Sequence, residues 1–357
     1  MLGYLYNLAT DKHKGFIPAI IKMFLFILSL VYGLIIRILI FFSKFSTRRL
    51  ECKVVSVGNI TLGGTGKTCL VEYIAGFLKE KGHKVAVLSR GYKRGAHSSE
   101  FIAQSSETMG DEPFMLSQKL SGVPVVVDAN RARGAKSAKE DYGADTVILD
   151  DGFQQWKIIK DLEIVAVDST NPFGNRHMLP RGMLREPLSS LKRADIFVLT
   201  KVNLSEDTER IREYLSKLNP RGLPVESIHK PLEFYNLHHP DQSHDIYGLE
   251  NITVTLFSGI GDHDSFEKLI KILGIKVGLS FRFRDHHDYT NEDFKKIIGG
   301  SREKNIDTVI TTEKDAARIK DILYPFSDLR ILVLRIGLVI TKGEEQLHDR
   351  LLKLYSV

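Results

Sequence analysis

A glycine-rich run limits the possible folds of this chain more than any other stretch: Val57-Gly58-Asn59-Ile60-Thr61-Leu62-Gly63-Gly64-Thr65-Gly66-Lys67-Thr68. β-Branched residues precede it at Val54 and Val55, and the helix-compatible segment 70–81 follows it. In such a loop the glycines let backbone N–H groups turn toward phosphate oxygens, and the following helix adds the positive end of its dipole. The order of strand, glycine-rich loop, Gly-Lys-Thr and helix therefore predicts a phosphate-binding loop in an α/β sheet.

The predicted ligand of this loop is a nucleoside triphosphate with Mg²⁺. Lys67 is expected to reach the β- and γ-phosphates, and the Thr68 hydroxyl is expected to bind the metal ion. Thr61 stands where the usual pattern has its first glycine. A chance glycine-rich turn is the alternative, and the flanking strand and helix patterns weigh against it. The predicted nucleotide-binding residues are Thr61, Leu62, Gly63, Gly64, Thr65, Gly66, Lys67 and Thr68.

The positive charge of the chain is concentrated at its N-terminus. Residues 1–50 hold seven Lys and Arg residues against one acidic residue, Asp11, and this surplus equals the net charge of +6 of all 357 residues. The remaining residues are balanced, which argues against a nucleic-acid partner. The two cysteines, Cys52 and Cys69, have no metal-ligand spacing and indicate a reducing compartment.

An apolar segment, 16–42, lies among these basic residues and is interrupted only by Lys22 and Arg37. Its longest uncharged part, 23–36, has 14 residues, fewer than the roughly 20 that span a bilayer. A membrane-associated helix is predicted, and two arrangements stay open: a span in which Lys22 and Arg37 snorkel, or a helix lying in the interface. A buried core helix is the alternative. The basic flank at 44–53 is predicted to face the cytoplasm.

After residue 50 the chain alternates short apolar runs with helix-like stretches, which is typical of a parallel sheet covered by helices. Strands are predicted at 53–58, 84–89, 123–128, 145–150, 162–167, 195–200, 252–257, 278–283, 306–311 and 329–334. Helices are predicted at 67–81, 111–120, 130–141, 206–217, 264–273, 291–299, 313–320 and 343–355. A polar stretch with four prolines, 218–248, is interpreted as the passage to a second domain.

The predicted fold class is α/β, with two α/β/α sandwich domains and an N-terminal membrane-associating helix. The first sandwich is expected to be a parallel sheet like that of the P-loop nucleoside triphosphatases. The predicted divisions are a membrane-associated segment at 1–50, a P-loop domain at 51–225 and a smaller α/β domain at 226–357. Ligands of such sheets bind beyond the carboxyl ends of the strands.

Acidic pairs follow two of these elements. Asp150 and Asp151 end an apolar strand, where carboxylates of phosphate-loop proteins hold Mg²⁺ directly or through water. A solvated Asp-Gly turn is the alternative there. Asp111 and Glu112 stand at a predicted helix start, where Asp111 is either an N-cap or, if it meets the γ-phosphate, a general base.

Histidines and arginines follow other strands. The run Phe283-Arg284-Asp285-His286-His287-Asp288-Tyr289 suits a catalytic histidine oriented by a carboxylate better than a metal site, because adjacent histidines on an extended chain point to opposite sides. A polar loop is the alternative. Three glycine-associated basic clusters suit anionic substrate groups, although charge runs are usually solvated. Their candidate residues are Arg90, Arg131, Arg181 and Arg185.

Taken together, these motifs resemble those of the tetraacyldisaccharide 4'-kinases of lipid A synthesis. The resemblance extends over most of the chain, and it is the order of the elements that makes it specific. The elements are Gly58-Asn59 through Gly64-Thr65-Gly66-Lys67-Thr68, Ser89-Arg90-Gly91-Tyr92, Gly110-Asp111-Glu112-Pro113, Asp150-Asp151-Gly152-Phe153-Gln154, Leu184-Arg185-Glu186-Pro187, Asp285-His286 and Thr312-Glu313-Lys314-Asp315-Ala316.

The resemblance implies a kinase that transfers the γ-phosphate of ATP to the 4'-hydroxyl of a tetraacylated glucosamine disaccharide 1-phosphate. It implies that Asp111 is the catalytic base and is paired with His286, and that Arg185 and neighbouring arginines meet the substrate. The residues implied in the Mg²⁺ environment are Thr68, Glu112, Asp150 and Asp151. The implied location is the cytoplasmic face of the inner membrane, with the lipid A precursor and membrane lipids as partners, no nucleic acid, and a monomeric chain.

A different class of protein shares part of this pattern: a membrane-associated P-loop nucleoside triphosphatase that acts as a conformational switch or delivery factor. It predicts a guanine-reading element, which Thr200-Lys201-Val202-Asn203 matches only in part, because Asn203 replaces the acidic residue. A membrane-bound nucleotide-binding scaffold without chemistry is a third hypothesis. The separate Asp111 and His286 elements favour the kinase.

Overall fold

Strands and helices alternate along the chain, and the predicted α/β class is confirmed. The computed structural model describes residues 8, 10, 11, 15–90, 110–319 and 330–356, with the backbone alone at 111 and 112. The strands are β1 (Lys53–Gly58), β2 (Val85–Ser89), β3 (Val125–Val127), β4 (Thr146–Asp150), β5 (Leu162–Asp168), β6 (Ile196–Thr200), β7 (Leu223–Asn236), β8 (Ser243–His244), β9 (Thr253–Ser258), β10 (Lys276–Arg282), β11 (Thr308–Thr312) and β12 (Arg330–Lys342). The helices are α1 (Phe16–Ser43), α2 (Lys67–Glu80), α3 (Asp111–Lys119), α4 (Arg131–Tyr142), α5 (Thr208–Leu218), α6 (His263–Ile272), α7 (Asn291–Glu303), α8 (Glu313–Ile319) and α9 (Glu344–Leu352).

The strands within these ranges form one sheet with the order β10-β9-β11-β12-β7-β6-β5-β1-β4-β2-β3, and β8 pairs with β7. Strands β1 to β7 pair in parallel with one another, and so do β9 to β12. The two parallel groups meet where β7 and β12 pair antiparallel. We call residues 51–218 the first half, residues 253–319 the second half, and the β7–β12 pair the ribbon.

The ribbon lies where the sequence predicts a passage without a strand. Strand β7 occupies 223–236 in spite of Pro224 and Pro231. A proline cannot donate to a strand ladder and is tolerated at strand ends and bulges. Pro224 is the second residue of β7, and the ladder shifts register beside Pro231, which is opposite Ile336. The prolines therefore mark the start and the irregular point of a strand. The predicted division between 225 and 226 falls inside β7 and stays a prediction about folding units.

The chain returns to the first half at its C-terminal end. Along α2, the apolar residues Leu70, Ile74 and Leu78 recur every four residues and lie fully buried on one helix face. They share a core with Leu347 and Leu351 of α9. The ribbon explains this packing, because β12 runs antiparallel to β7 and leads the chain from the second half back to the first.

Helix α1 is the long apolar helix that the sequence predicts. Its 28 residues correspond to about 42 Å of helix. One narrow stripe is buried against the protein, and most of the large apolar side chains outside it are exposed. The buried residues are Leu25, Ser29, Gly33, Ile36 and Ser43. By length and composition, residues 16–46 are apolar enough to cross a membrane, and an 18-residue stretch within them has a mean hydropathy of 2.6.

The buried stripe of α1 packs against the loop 177–185 of the first half. The Tyr32 hydroxyl donates to the Arg185 carbonyl oxygen at 3.0 Å. A Cβ atom on Gly33 would lie 3.1 Å from the Met178 sulfur, so the helix and the loop are in close contact there. Near its start, Lys22 of α1 and Arg181 of the loop pair with the same carboxylate, that of Asp11. The middle of α1 is therefore fixed to the polar body of the protein.

Candidate active site

The phosphate loop connects β1 to α2, as predicted. Gly66 precedes the helix with a φ of 81°, in the left-handed region that favours glycine. A Cβ atom at this position would lie 2.6 Å from His229 Nε2, so both the backbone angle and the neighbour require a glycine. Across the loop, the Lys201 ammonium donates to the Gly64 carbonyl at 2.9 Å and the Thr200 hydroxyl donates to the Thr65 carbonyl at 3.0 Å. Residues at the end of β6 thus hold the backbone of the phosphate loop in place.

The beginning of the loop pairs with the segment that contacts α1. The Leu62 amide donates to the Met183 carbonyl at 2.9 Å, and the Arg185 amide donates to the Ile60 carbonyl at 2.8 Å. Thr61 and Leu184 form a bridge between these two bonds. The loop 177–185 is consequently in contact with the phosphate loop on one side and with α1 on the other.

Two cations of the site share one carboxylate. The Arg185 guanidinium donates to both Asp151 oxygens, at 2.8 and 3.0 Å, and the Lys67 ammonium lies 3.5 Å from Oδ1. Burial would raise the pKa of Asp151, but Lys67 and Arg185 outweigh it and hold the pKa below its ordinary value. Asn59 Oδ1 accepts from Lys67 at 3.1 Å. Asp151 therefore stays ionised and neutralises the side chains that are expected to meet phosphates.

Asp150 lies beside the end of β1, because Val57 is its partner in the parallel ladder between β1 and β4. Its carboxylate accepts from the Ser89 hydroxyl at 3.2 Å, and its side chain is buried. Within the ranges above, no group of three or more His, Cys, Asp or Glu side chains is arranged to hold a metal ion. Magnesium needs no such cage: it keeps several waters and takes one or two carboxylates together with phosphates. The Thr68 hydroxyl and the carboxylate of Asp150 are oxygen donors of this kind, and they fit Mg²⁺.

A buried lysine joins the first half to the second at this loop. Lys201 pairs with Asp168, at the end of β5, and with Asp262, which precedes α6. The Lys201 side chain is 4% exposed. Burial would lower the pKa of Lys201, but the two carboxylates raise it above its ordinary value. Lys201 is therefore a charged residue in the interior, where it contacts the phosphate loop and both halves.

A cavity of about 260 Å³ lies between the phosphate loop and the second half. The halves touch at its rim, where a Cβ atom on Gly261 would lie 2.9 Å from the Gly64 nitrogen. Charged and polar lining residues include Lys67, Thr68 and Lys201 from the first half and Asp262, Asp285 and His286 from the second. Apolar lining residues include Leu204, Ile260, Phe266 and Leu334. The cavity thus brings the phosphate loop and the histidine motif together, as two ends of one site.

Only one histidine of the pair faces this cavity. His286 lines it, and its Nδ1 atom lies 3.1 Å from a nitrogen of the Arg318 guanidinium. His287 instead stacks on Phe283 and bonds to Asp293 at 3.0 Å. This agrees with the expectation that the two rings point to different sides.

Helix α3 brings its side to the same cavity. It begins at Asp111, and Met115 and Lys119, one and two turns later on the same face, line the cavity. The Lys119 ammonium donates to Glu313 at 2.7 Å, which ties α3 to the second half. The side chains of Asp111 and Glu112 lie outside the described residues, so their predicted roles stay predictions.

The predicted arginines have different environments. Arg185 belongs to the site through Asp151, whereas Arg181 pairs with Asp11 beside α1. Arg131 is buried, and its guanidinium donates to the backbone carbonyls of Asp128, which follows β3, and of Asp150, which ends β4. Arg90 is exposed at the end of β2.

Several residues of the site do not follow from sequence patterns. Asp262 and Arg318 belong to no recognised motif, and His229 lies in the stretch interpreted as a passage. Lys201 has a sequence signal, its position at a strand end within Thr200-Lys201-Val202-Asn203, but that pattern indicates a partial guanine-reading element rather than a support of the phosphate loop. Its ammonium bonds to the loop backbone and to two carboxylates.

Comparison with known proteins agrees with this geometry. The family model described as "LpxK: Tetraacyldisaccharide-1-P 4'-kinase" matches residues 21–356. The tetraacyldisaccharide 4'-kinase of Halothermothrix orenii is 36% identical over 95% of this chain and 94% of its own length. That of Desulfatibacillum aliphaticivorans is 36% identical over 87% of this chain and 86% of its own.

A solved structure shares the whole architecture. The crystal structure of LpxK from Aquifex aeolicus in complex with ATP has a TM-score of 0.71 and 28% identity to this chain, and covers 94% of it and all of the Aquifex chain. The chain therefore belongs to the LpxK family of tetraacyldisaccharide 4'-kinases, which are ATP-dependent kinases of lipid A biosynthesis.

Proposed function

We propose that this chain transfers the γ-phosphate of ATP to the 4'-hydroxyl of tetraacyldisaccharide 1-phosphate, with Asp111 as base and His286 as its partner. The observation that carries the proposal is the shared cavity, which Lys67 and Thr68 line from one half and His286 from the other. The proposed division into 1–50, 51–225 and 226–357 assigns the phosphate loop and His286 to different domains. Closure of such a cleft excludes water and favours transfer over hydrolysis.

The proposed roles follow from the charges at the site. Phosphoryl transfer needs positioning and charge stabilisation more than covalent chemistry. Lys67 and the backbone of residues 61–66 would bind the phosphates, and Arg185, which already pairs with a carboxylate, is suited to an anionic group of the substrate. The 4'-hydroxyl is a weak nucleophile, and Asp111 would accept its proton. Arg90, Arg131 and Arg181 remain proposed substrate contacts by sequence.

The proposed metal ion is Mg²⁺. Thr68 and Asp150 would hold it, with Asp151 and Glu112 completing the acidic environment. Bound there, Mg²⁺ would neutralise charge on the β- and γ-phosphate oxygens. Asp151 is held by Lys67 and Arg185, so a water-mediated role suits it better than direct ligation.

The transferase activity itself is the central test. We expect purified protein in detergent micelles with Mg²⁺ and γ-labelled ATP to label tetraacyldisaccharide 1-phosphate, and Asp111→Asn to reduce the rate about 10²- to 10⁴-fold, the usual contribution of a general base. Asp241→Asn, at an exposed position outside the cavity, is the matched control and should retain the rate. If phosphate is released equally with and without the lipid, and GTP replaces ATP, the chain is a membrane nucleoside triphosphatase instead.

We also propose that α1 lies in the membrane interface on the cytoplasmic face of the inner membrane, and that the chain is a monomer there without a nucleic-acid partner. The middle of α1 supports this arrangement, because Tyr32 and Gly33 contact a polar loop that contains Arg181 and Arg185. A helix crossing the bilayer would put that loop in the hydrocarbon, where backbone groups and charges are costly. The exposed side of α1 is apolar, as an interfacial helix requires.

A vesicle experiment tests this arrangement. Leu30 and Leu34 lie on the exposed side of α1, and Leu30→Glu and Leu34→Glu are each expected to abolish flotation of the protein with anionic vesicles. The control is Ile272→Glu, at an exposed position of α6, which should leave flotation unchanged. In a Leu30→Trp variant, the added fluorescence should be quenched by bromine atoms placed shallow in the acyl chains. Stronger quenching by bromines near the bilayer centre would contradict the interfacial arrangement and favour a span.

A further inference from the structure

The backbone of His286 is held in an unusual conformation by the second half. Its φ is 55°, in the left-handed region, which costs free energy for a residue other than glycine. Two hydrogen bonds support the turn: the His286 amide donates to the Gly259 carbonyl at 3.1 Å and, at the same length, to Asp285 Oδ1. The ring is thereby directed to the cavity between the halves, although the chain around it is a loop.

The imidazole itself is held by a guanidinium. Arg318 Nη2 lies 3.1 Å from His286 Nδ1. An arginine has only donors and stays protonated in proteins, so the imidazole nitrogen must be the acceptor in this bond. A neutral imidazole that accepts at Nδ1 carries its proton on Nε2. The contact therefore selects one of the two neutral tautomers of His286 and is incompatible with the doubly protonated ring.

Arg318 is in turn fixed by its own neighbours. Its side chain is 5% exposed, and its Nη1 atom donates to the Gly259 carbonyl at 3.0 Å. The same Nη1 atom lies 3.5 Å from the Asp315 carboxylate, which is completely buried. Asp315 also accepts from the Gly259 amide at 2.9 Å and from the Tyr289 hydroxyl at 2.9 Å. Burial, reinforced by Asp315, raises the pKa of Tyr289, so this phenol remains a donor.

We propose that Arg318 is a positioning residue of the transfer reaction: through its contact with Nδ1 it holds His286 as the Nε2–H tautomer, so that Nε2–H is the donor to the carboxylate that acts as base. Asp315 holds Arg318 in place. Within the motif Thr312-Glu313-Lys314-Asp315-Ala316, the proposed role of Asp315 is therefore to fix this arginine. This rests on the proposed role of His286 and adds that Arg318 selects the tautomer in which His286 performs it. Arg318 contacts the imidazole at Nδ1 and, unlike His286, is not one of the residues that line the cavity.

The proton balance of the step follows from the tautomer. In the transfer, the bond between the γ-phosphorus of ATP and its β,γ-bridging oxygen breaks and ADP leaves with that electron pair. The acceptor oxygen forms the new bond to phosphorus, and its proton moves to the carboxylate base. His286 keeps its own proton throughout and acts as a hydrogen-bond donor that orients the carboxylate. It does not relay the proton further, because Nδ1 is engaged with a group that cannot accept one.

The tautomer is measured directly by nuclear magnetic resonance of the full chain in micelles, labelled with ¹⁵N-histidine. His286→Gln identifies the His286 signals among the 12 histidines. We expect the native protein to show a protonated Nε2 and an unprotonated, hydrogen-bonded Nδ1, and Arg318→Met to show a mixture of both tautomers. A protonated Nδ1 in the native protein, or no change in Arg318→Met, would overturn the proposal whatever the activity is.

The kinetic measurement separates positioning from a structural role. We expect Arg318→Met to lower kcat about 30- to 100-fold, as loss of orientation does, with less than about a threefold change in KM for ATP since the phosphate loop is untouched. Arg318→Lys should recover most of kcat, because an ammonium also donates to Nδ1. Arg210→Met, at an exposed arginine of α5, is the control, and circular dichroism checks the fold of each variant.

The two proposals fail in different ways. If His286→Gln keeps full kcat, the role proposed for His286 is wrong, and the catalytic part of this inference is wrong with it. If His286→Gln loses activity while Arg318→Met keeps it, the role of His286 stands and the positioning role of Arg318 is overturned. Equal losses of kcat and of folded protein in Arg318→Met, without recovery in Arg318→Lys, would also overturn it in favour of a purely structural arginine.

Discussion

Lys201→Met is expected to lower the free energy of unfolding by about 3–5 kcal/mol, the usual effect of removing one partner of a buried ion pair. Lys201 faces two carboxylates, Asp168 and Asp262, and both would lose their counter-ion. The Gly64 carbonyl would lose its donor as well. Since these groups connect the phosphate loop to both halves, KM for ATP should rise together with the loss of stability. Urea unfolding and steady-state kinetics measure the two effects.

A second substitution tests the cause. Asp262→Asn removes one of the two carboxylates, so its effect should be smaller than additive when combined with Lys201→Met. Lys217→Met is the control, because that lysine is exposed and its pair with Glu213 is a surface pair, expected to contribute less than about 1 kcal/mol. A loss below about 1 kcal/mol in Lys201→Met would show that the buried pairs do not hold the loop.

Acidification below pH 6.5 is expected to destabilise the protein through His229. Burial, reinforced by the charge of Lys201, lowers the pKa of His229 to about 3, whereas an unfolded chain has a histidine pKa of about 6.5. Between these values the unfolded state binds one proton more, so stability falls by about 1.4 kcal/mol per pH unit as the pH decreases. Above pH 6.5 the ring is neutral in both states and contributes no pH dependence.

The difference between two proteins isolates this effect from that of the carboxylates. His229→Gln should flatten the dependence of the free energy of unfolding between pH 6.5 and 4 relative to the native chain, measured by urea unfolding at each pH. His239→Gln, at an exposed histidine, is the control and should follow the native curve. Parallel curves for the native chain and His229→Gln would mean that the native His229 is protonated without cost or solvated in the native state.

The sequence predicts most of the sheet, because its strands are short apolar runs that end in glycine, acidic or basic residues. Strand β1 and helix α2 are found within one residue of their predicted bounds at each end. The ribbon is not predicted, since β7 mixes polar, charged and apolar residues without a regular alternation and contains two prolines. Its long antiparallel pairing with β12, more than 90 residues away in the chain, adds to its parallel pairing with β6 and stabilises such a strand.

The residues of the site also fall into two groups, those that the sequence predicts and those that it does not. The phosphate loop is recognisable from the spacing of its glycines, because backbone geometry at a phosphate requires glycines in a fixed pattern. Asp151 is recognisable from its position after an apolar strand. Lys201, His229 and Arg318 act through residues that are distant in sequence: Gly64, Gly66 and His286. No local pattern encodes such contacts, since they depend on how the two halves meet. The role of Arg318 in particular follows from one hydrogen bond that a sequence does not contain.

The loop 177–185 has a consequence for the way a lipid reaches this site. Removing acyl chains from a bilayer costs about 0.8 kcal/mol for each CH₂ group, so a tetraacylated molecule is in practice not extracted. One loop separates the exposed apolar side of α1 from the phosphate loop, through the Tyr32–Arg185 and Arg185–Ile60 hydrogen bonds. In the interfacial arrangement that we propose for α1, the sugar headgroup of the proposed substrate would meet the nucleotide while its acyl chains stay in the membrane. The enzyme then has no need to carry its substrate through water.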